Sequence, residues 1–334
     1  MLRPFRASTP RPRTGWFRDR LPGSDQGAAG KRRDPRENLS SAEEILVNHN
    51  GTILPAGEAT VPAMDHGFLY GDSVYETLRT FHGRPFLIEP HLDRLVRSLE
   101  QISLALPAPR EELRRAVERT VGVFRERHPG CDLSLRLVVT RGIGPIGLDI
   151  TLCDQPRYLI YAFALPRLPA EYYAQGIRVV VSRVRRNHPS ALDPRIKSGN
   201  FLNNILAYQD ARRTGAHEAL LLSADGYVAE GTTSNVFLVR GGGIQTPSAF
   251  GILDGITRQV ILEEARSAGL PVEEGRIPAE RLLECDEAFI TSSVRGVVPV
   301  TRINDSVVGD GEPGPVTQRV MQIYDARVAR ECGA

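Results

Sequence analysis

The chain has 334 residues, 41% of them hydrophobic, and its 42 Lys plus Arg against 40 Asp plus Glu leave a formal charge of +2. That length suits one large or two medium domains with their own cores. The near-balance of charge gives no global attraction to a polyanion, so nucleic acid is not implied. No apolar run approaches the roughly 20 residues that span a bilayer, which excludes a membrane protein.

A mean hydropathy of −0.23 is that of a soluble globular protein. Cys131, Cys153, Cys285 and Cys332 are scattered with no CxxC pair. That argues against a zinc site and a disulfide framework, predicts no metal, and fits a reducing cytoplasm.

Residues 1–40 stand apart: nine arginines mix with Pro, Gly and Ser without apolar periodicity. This stretch reads as a disordered basic arm, without the apolar core of a secretory signal. From Ile45, ILVN and TIL flank Asn50-Gly51, a dipeptide that accepts the positive φ angles of a tight hairpin turn. Val74 to Phe81 alternates as a strand, His82-Gly83 turns it, and Pro85 to Ile88 is expected to return. Leu92, Leu95, Val96, Leu99 and Ile102 then recur at helical spacing behind Pro90, which a first helical turn tolerates. Arg94 lies off that stripe.

A second amphipathic helix over about 111–127 precedes strands at 133–140 and 158–164, and Leu165 to Pro169 reads as a linker. The second half opens with a β-rich run over 177–184, then a loop to Lys197 and a helix from about Asn200 to Arg213. Strands follow on either side of Asp225-Gly226, a helix begins near Thr257, a strand covers 287–291, and a last helix runs over about 316–330. The prediction is an α+β protein: a small domain over 45–165 and a large one over 170–334.

Lys197 sits between apolar Ile196 and small Ser198 and Gly199. An amine desolvated there has a lowered pKa and becomes a nucleophile toward an aldehyde. Six runs give this lysine its context: Asp65-His-Gly-Phe-Leu-Tyr-Gly-Asp, Glu76-Thr-Leu-Arg, His91-Leu-Asp-Arg-Leu, Ile196-Lys-Ser-Gly-Asn, Ala229-Glu-Gly-Thr-Thr-Ser-Asn-Val-Phe and Gly251-Ile-Leu-Asp-Gly-Ile-Thr-Arg. In this order, over roughly Ile45 to Ile323, they resemble the class IV aminotransferase family of branched-chain aminotransferases, D-amino-acid aminotransferases and 4-amino-4-deoxychorismate lyases.

The resemblance implies a two-domain fold with pyridoxal 5′-phosphate between the domains. It implies that Lys197 holds the cofactor as a Schiff base and shuttles a proton, while Glu230 keeps the ring nitrogen protonated so that the ring takes up electrons. Arg94, whose planar fork suits phosphate oxygens, falls at the family's phosphate arginine. Ile256 and Thr257, at the opening of a predicted helix, fall in its phosphate cup, as does Ser293. Tyr75 and Arg136 match positions that line the substrate pocket and take a carboxylate.

Two departures stand out from the branched-chain pattern: Phe201 replaces a tyrosine four or five residues after the lysine, and Thr77 replaces a usual glycine. The D-enzyme arginine and histidine pair is missing after Thr140-Arg-Gly. The resemblance therefore favours a transaminase acting on a branched-chain L-amino acid and a 2-oxo acid by ping-pong exchange, in a cytoplasmic homodimer. The alternatives are the lyase, for whose two-carboxylate substrate Arg136, Arg295, Arg183, Arg185 and Arg186 offer charge, and the D-amino-acid enzyme.

Overall fold

A computed structural model describes residues 44–166 and 168–333; the basic arm predicted over 1–40 lies outside them. In the first half, β1 (Leu46–His49) and β2 (Thr52–Pro55) form the expected hairpin, with Asn50 and Gly51 at φ 48° and 95°. They are followed by α1 (His66–Tyr70), β3 (Ser73–Phe81), β4 (Arg84–Pro85), α2 (Ile88–Gln101), α3 (Arg110–Arg127), β5 (Leu133–Thr140) and β6 (Arg157–Ala164). The strands make a sheet in the order β2-β1-β6-β5-β3-β4. One of its faces buries Leu78, Leu135, Leu137 and Ile160 against Leu92, Leu95 and Leu99 of α2 and Leu113, Val117 and Phe124 of α3.

The second half contains α4 (Glu171–Ala174), β7 (Ile177–Arg185), α5 (Leu202–Thr214), β8 (Glu218–Leu222), β9 (Val228–Gly231), β10 (Asn235–Arg240), β11 (Gly243–Pro247) and α6 (Ile256–Ser267). It closes with β12 (Val272–Gly275), β13 (Glu287–Ser292), β14 (Gly296–Ile303), β15 (Ser306–Val307) and α7 (Pro315–Cys332). Nine strands form its sheet, in the order β12-β11-β10-β13-β14-β7-β8-β9 with β15 beside β14. Side chains alternate across a strand. On β13, Ala288 and Ile290 therefore enter one core, while Phe289 enters a second one with Val260 and Ile261 of α6 and Val320 and Tyr324 of α7. Among the described residues no helix is long and apolar enough to cross a membrane.

Three local expectations are corrected. The return strand predicted over Pro85 to Ile88 stops at Pro85, because Leu87 adopts φ 52° and turns the chain into α2. Pro85 is accommodated on an edge strand, where its missing N–H leaves no partner unpaired. The helix expected from Asn200 starts at Leu202. The preceding segment stays extended because it pairs with β3: Tyr75 N–H donates to Lys197 C=O at 2.9 Å and Gly199 N–H to Ser73 C=O at 2.7 Å. A Cβ on Gly199 would lie 2.1 Å from Ser73 Oγ, so a larger residue there would force the Ser73 side chain to turn away. Arg94, placed off the apolar stripe of α2, is nevertheless only 4% exposed, since its helix face packs on β3.

Candidate active site

Between the two sheets lies a cavity of about 440 Å3, and all eight residues singled out in the sequence line it: Tyr75, Arg94, Arg136, Lys197, Glu230, Ile256, Thr257 and Ser293. Lys197 belongs to the second half of the chain but is held by the first. Its N–H donates to Ser98 Oγ of α2 at 3.2 Å and its C=O accepts from Tyr75. The Nζ lies 4.5 Å from the centre of the Tyr75 ring. Burial, reinforced by the positive charge of Arg94, lowers the Lys197 pKa to about 7. An amine so desolvated gives up its proton more readily than a free lysine and can act as nucleophile or base.

Arg94 is fixed by a carboxylate that sequence reasoning passed over. Its Nε donates to Glu76 Oε1 at 2.8 Å, its Nη2 to Glu76 Oε2 at 2.7 Å, and its Nη1 to the Asp254 carbonyl at 2.8 Å. His91 Nδ1 lies 2.7 Å from the same Oε2. Burial works against the charge on Glu76, yet Arg94 and His91 outweigh it and hold the carboxyl far below its usual range. Three N–H groups of Arg94 are used, and two remain for an anion in the cavity. Glu76 alternates with Tyr75 on β3, and His91 and Arg94 are three apart on α2; that spacing was the available signal.

Glu230 is buried, with Oε1 accepting from Arg186 Nε at 2.6 Å and Oε2 from Leu253 N–H at 3.0 Å. Burial is the largest influence and raises its pKa in spite of Arg186. Arg186, counted among the free cations in the sequence, is thus committed to Glu230, while Arg183 and Arg185 are exposed and do not line the cavity. Arg295 lines it, anchored to Glu218 Oε2 at 2.8 Å, Thr233 Oγ1 at 2.9 Å and Ser292 Oγ at 3.2 Å.

The first turn of α6 opens on the cavity with no side-chain cap. Its leading N–H groups, and the positive end of its dipole, are therefore available to an anion. Its N-cap is Gly255, where a Cβ would come within 2.0 Å of Asn235 Oδ1, so the start of the helix packs closely on the Asn235 side chain. Thr291, also in the wall, is 1% exposed and its Oγ1 has no hydrogen-bond partner among the described residues. A near-neutral amine, a buried carboxylate, a half-used guanidinium, an uncapped helix end and an orphaned hydroxyl together form a donor set that fits pyridoxal phosphate.

Arg136 differs from the other lining arginines: it has no carboxylate or hydrogen-bond partner among the described residues, and its guanidinium lies 3.8 Å over the Tyr75 ring. The Phe201 ring meets Tyr75 edge-on at 5.4 Å. Phe201 carries no hydroxyl to donate to a cofactor. With Ile196, Leu192 and Val294 these rings give the cavity an apolar wall beside Arg136.

Residues 73–303 match the family model described as amino-transferase class IV. A protein of Methanocaldococcus jannaschii, provisionally named a branched-chain-amino-acid aminotransferase, is 37% identical over 276 residues, 82% of this chain and 93% of its own length. The D-alanine aminotransferase of Bacillus licheniformis is 35% identical over 288 residues, 86% of this chain and 98% of that protein. The aminodeoxychorismate lyase of Bacillus subtilis is 34% identical over 284 residues, 85% and 94%. The crystal structure of a T.th. branched-chain amino acid aminotransferase with pyridoxamine 5′-phosphate has a TM-score of 0.79 at 29% identity, covering 86% of this chain and 94% of that one.

Proposed function

Because this chain belongs to the class IV aminotransferase family and is a pyridoxal-phosphate enzyme, we propose that it moves an amino group between a branched-chain L-amino acid and a 2-oxo acid. The observation that carries the reading is that Lys197 lines one cavity with Arg94 and Glu230, where burial lowers the pKa of its amine. When bound, the cofactor supplies an aldehyde that takes the amino group and a ring that stabilises negative charge. Lys197 would hold the cofactor through its Nζ, and the same Nζ would act as the base that removes the α-proton and returns it.

Arg94, the N–H groups of Ile256 and Thr257, and the Ser293 hydroxyl bind the phosphate. Glu230 holds the proton on the ring nitrogen. Arg136 takes the substrate carboxylate and Tyr75 orients it, while the apolar wall of Phe201, Leu192 and Val294 accepts an aliphatic side chain and excludes water.

We place the enzyme in the cytoplasm as a homodimer. Phe68, Ile146, Leu148, Leu202 and Ile205 are 53–86% exposed. Tyr70 of α1 reaches the loop that bears Ile146 and Leu148, its hydroxyl accepting from Gly147 N–H at 3.1 Å. Gly71, at the end of α1, approaches Asn200, just before α5. Apolar residues so concentrated on neighbouring elements fit a second copy.

A second reading, the lyase, draws on Arg295 lining the cavity together with Arg136, which would serve a substrate with two carboxylates. The test is an absorbance spectrum of the purified protein, then single half-reactions with L-leucine, L-glutamate, D-alanine and aminodeoxychorismate. Bleaching of the cofactor band by the L-amino acids supports the transaminase, and bleaching by D-alanine alone supports the D-enzyme. Pyruvate release from aminodeoxychorismate without bleaching supports the lyase. A protein that acquires no band when supplied with the cofactor would sink the whole reading.

A further inference from the structure

A buried hydroxyl without a partner is costly, and native proteins keep few of them. Among the described residues Thr291 Oγ1 has no partner, and Thr291 lines the cavity between the sheets. Its direction follows from the strand. Glu287 and Phe289, four and two residues earlier on β13, face α6 and α7: the Glu287 carboxylate accepts from Val316 and Thr317 N–H of α7, and Phe289 packs in the core with Val260 and Ile261. Thr291 shares that face.

Its cross-strand neighbour on β10 is Asn235. Asn235 Nδ2 donates to the Leu253 carbonyl at 2.9 Å, and its Oδ1 lies against Gly255, the N-cap of α6. Paired residues lie side by side on one face of a sheet. Thr291 therefore sits next to the residue that touches the open end of α6, two positions before Ser293.

We infer that the Thr291 hydroxyl is a further donor to the cofactor phosphate, given from the sheet beneath the helix end that meets the same group. The inference rests on the pyridoxal-phosphate reading of the cavity and adds a contact that the sequence did not single out. Among the described residues the hydroxyl has no partner, so a phosphate oxygen would supply its hydrogen bond without a further desolvation cost. That makes the site preorganised for phosphate.

Thr291→Val keeps the shape and removes the hydroxyl; Thr291→Ser keeps the hydroxyl. Dissociation constants for pyridoxamine 5′-phosphate and for unphosphorylated pyridoxamine are measured by fluorescence titration, and melting temperatures are recorded without ligand. We expect T291V to weaken pyridoxamine 5′-phosphate about tenfold, the value of one hydrogen bond. Pyridoxamine should bind T291V as it binds the wild type, and T291S should stay near wild type for both ligands. Cofactor-free T291V should melt at or above the wild-type temperature, because an unsatisfied polar group has been replaced by an apolar one.

Wild-type affinity of T291V for pyridoxamine 5′-phosphate would overturn the inference. So would an equal loss for both ligands, an equal loss in T291S, or a lower melting temperature of the cofactor-free T291V. A wild-type protein that binds neither ligand would overturn the cofactor reading itself, and this inference with it.

Discussion

Replacing Glu76 by Gln should destabilise the protein by several kcal/mol, because among the described residues Glu76 is the only carboxylate within bonding distance of Arg94, and both are buried. Glutamine can keep one acceptor for Arg94 Nε. Its amide nitrogen would then face Arg94 Nη2 and His91 Nδ1, which met Oε2 at 2.7 Å each, and the guanidinium charge would be left uncompensated. Removing one partner of a buried ion pair costs about 3–5 kcal/mol. At about 2 °C per kcal/mol for a protein of this size, the melting temperature should fall on the order of 6–10 °C.

The pH dependence has a definite sign. A carboxyl held below its ordinary range contributes stability that is present above the unfolded-state pKa and lost as pH falls through the folded-state value. The gap between wild type and E76Q should be constant near neutrality and narrow only in acid below the ordinary carboxylate range. Urea unfolding of both proteins from pH 7 downward measures it. A difference under about 1 kcal/mol at pH 7, the scale of an exposed pair, or a gap that widens in acid, would refute the argument.

Arg136→Gln removes a charge that no carboxylate of the described residues balances; it should lower kcat/KM for amino acids by roughly 10- to 100-fold, the worth of a charged hydrogen bond, as steady-state kinetics would report. Lys197 has a folded-state pKa of about 7, below that of a free lysine, so between the two values the unfolded chain binds the extra proton and cofactor-free stability should rise with pH. Lys197→Met should flatten that rise between pH 7 and 9 in chemical denaturation, and an unchanged slope would count against the buried amine. Leu148→Asp combined with Ile205→Asp, on the exposed apolar surface, should shift the protein to a monomer in light scattering. A dimer that persists would locate the interface elsewhere.

Much of the layout was written in local pattern. Asn50-Gly51 announced the first hairpin, and apolar spacing gave α3 and α7 to within a few residues. The family resemblance singled out eight residues, and all eight line one cavity. Local pattern failed where a distant partner decided. The extended stretch through Lys197 to Gly199 is set by pairing with β3, more than 120 positions earlier, and so α5 starts late.

The charges show the division most clearly. In charge alone, Arg94, Arg136, Arg186 and Arg295 are alike. Folding brings Glu76 to Arg94, Glu230 to Arg186 and Glu218 to Arg295, and leaves Arg136 without an acid among the described residues. Which side chains can carry charge is a property of each residue alone, and the sequence determines it. Which of those charges is neutralised, which amine is stripped of water, and which hydroxyl is left without a partner depend on distances between chain segments, and those exist only once the two sheets have closed around the cavity.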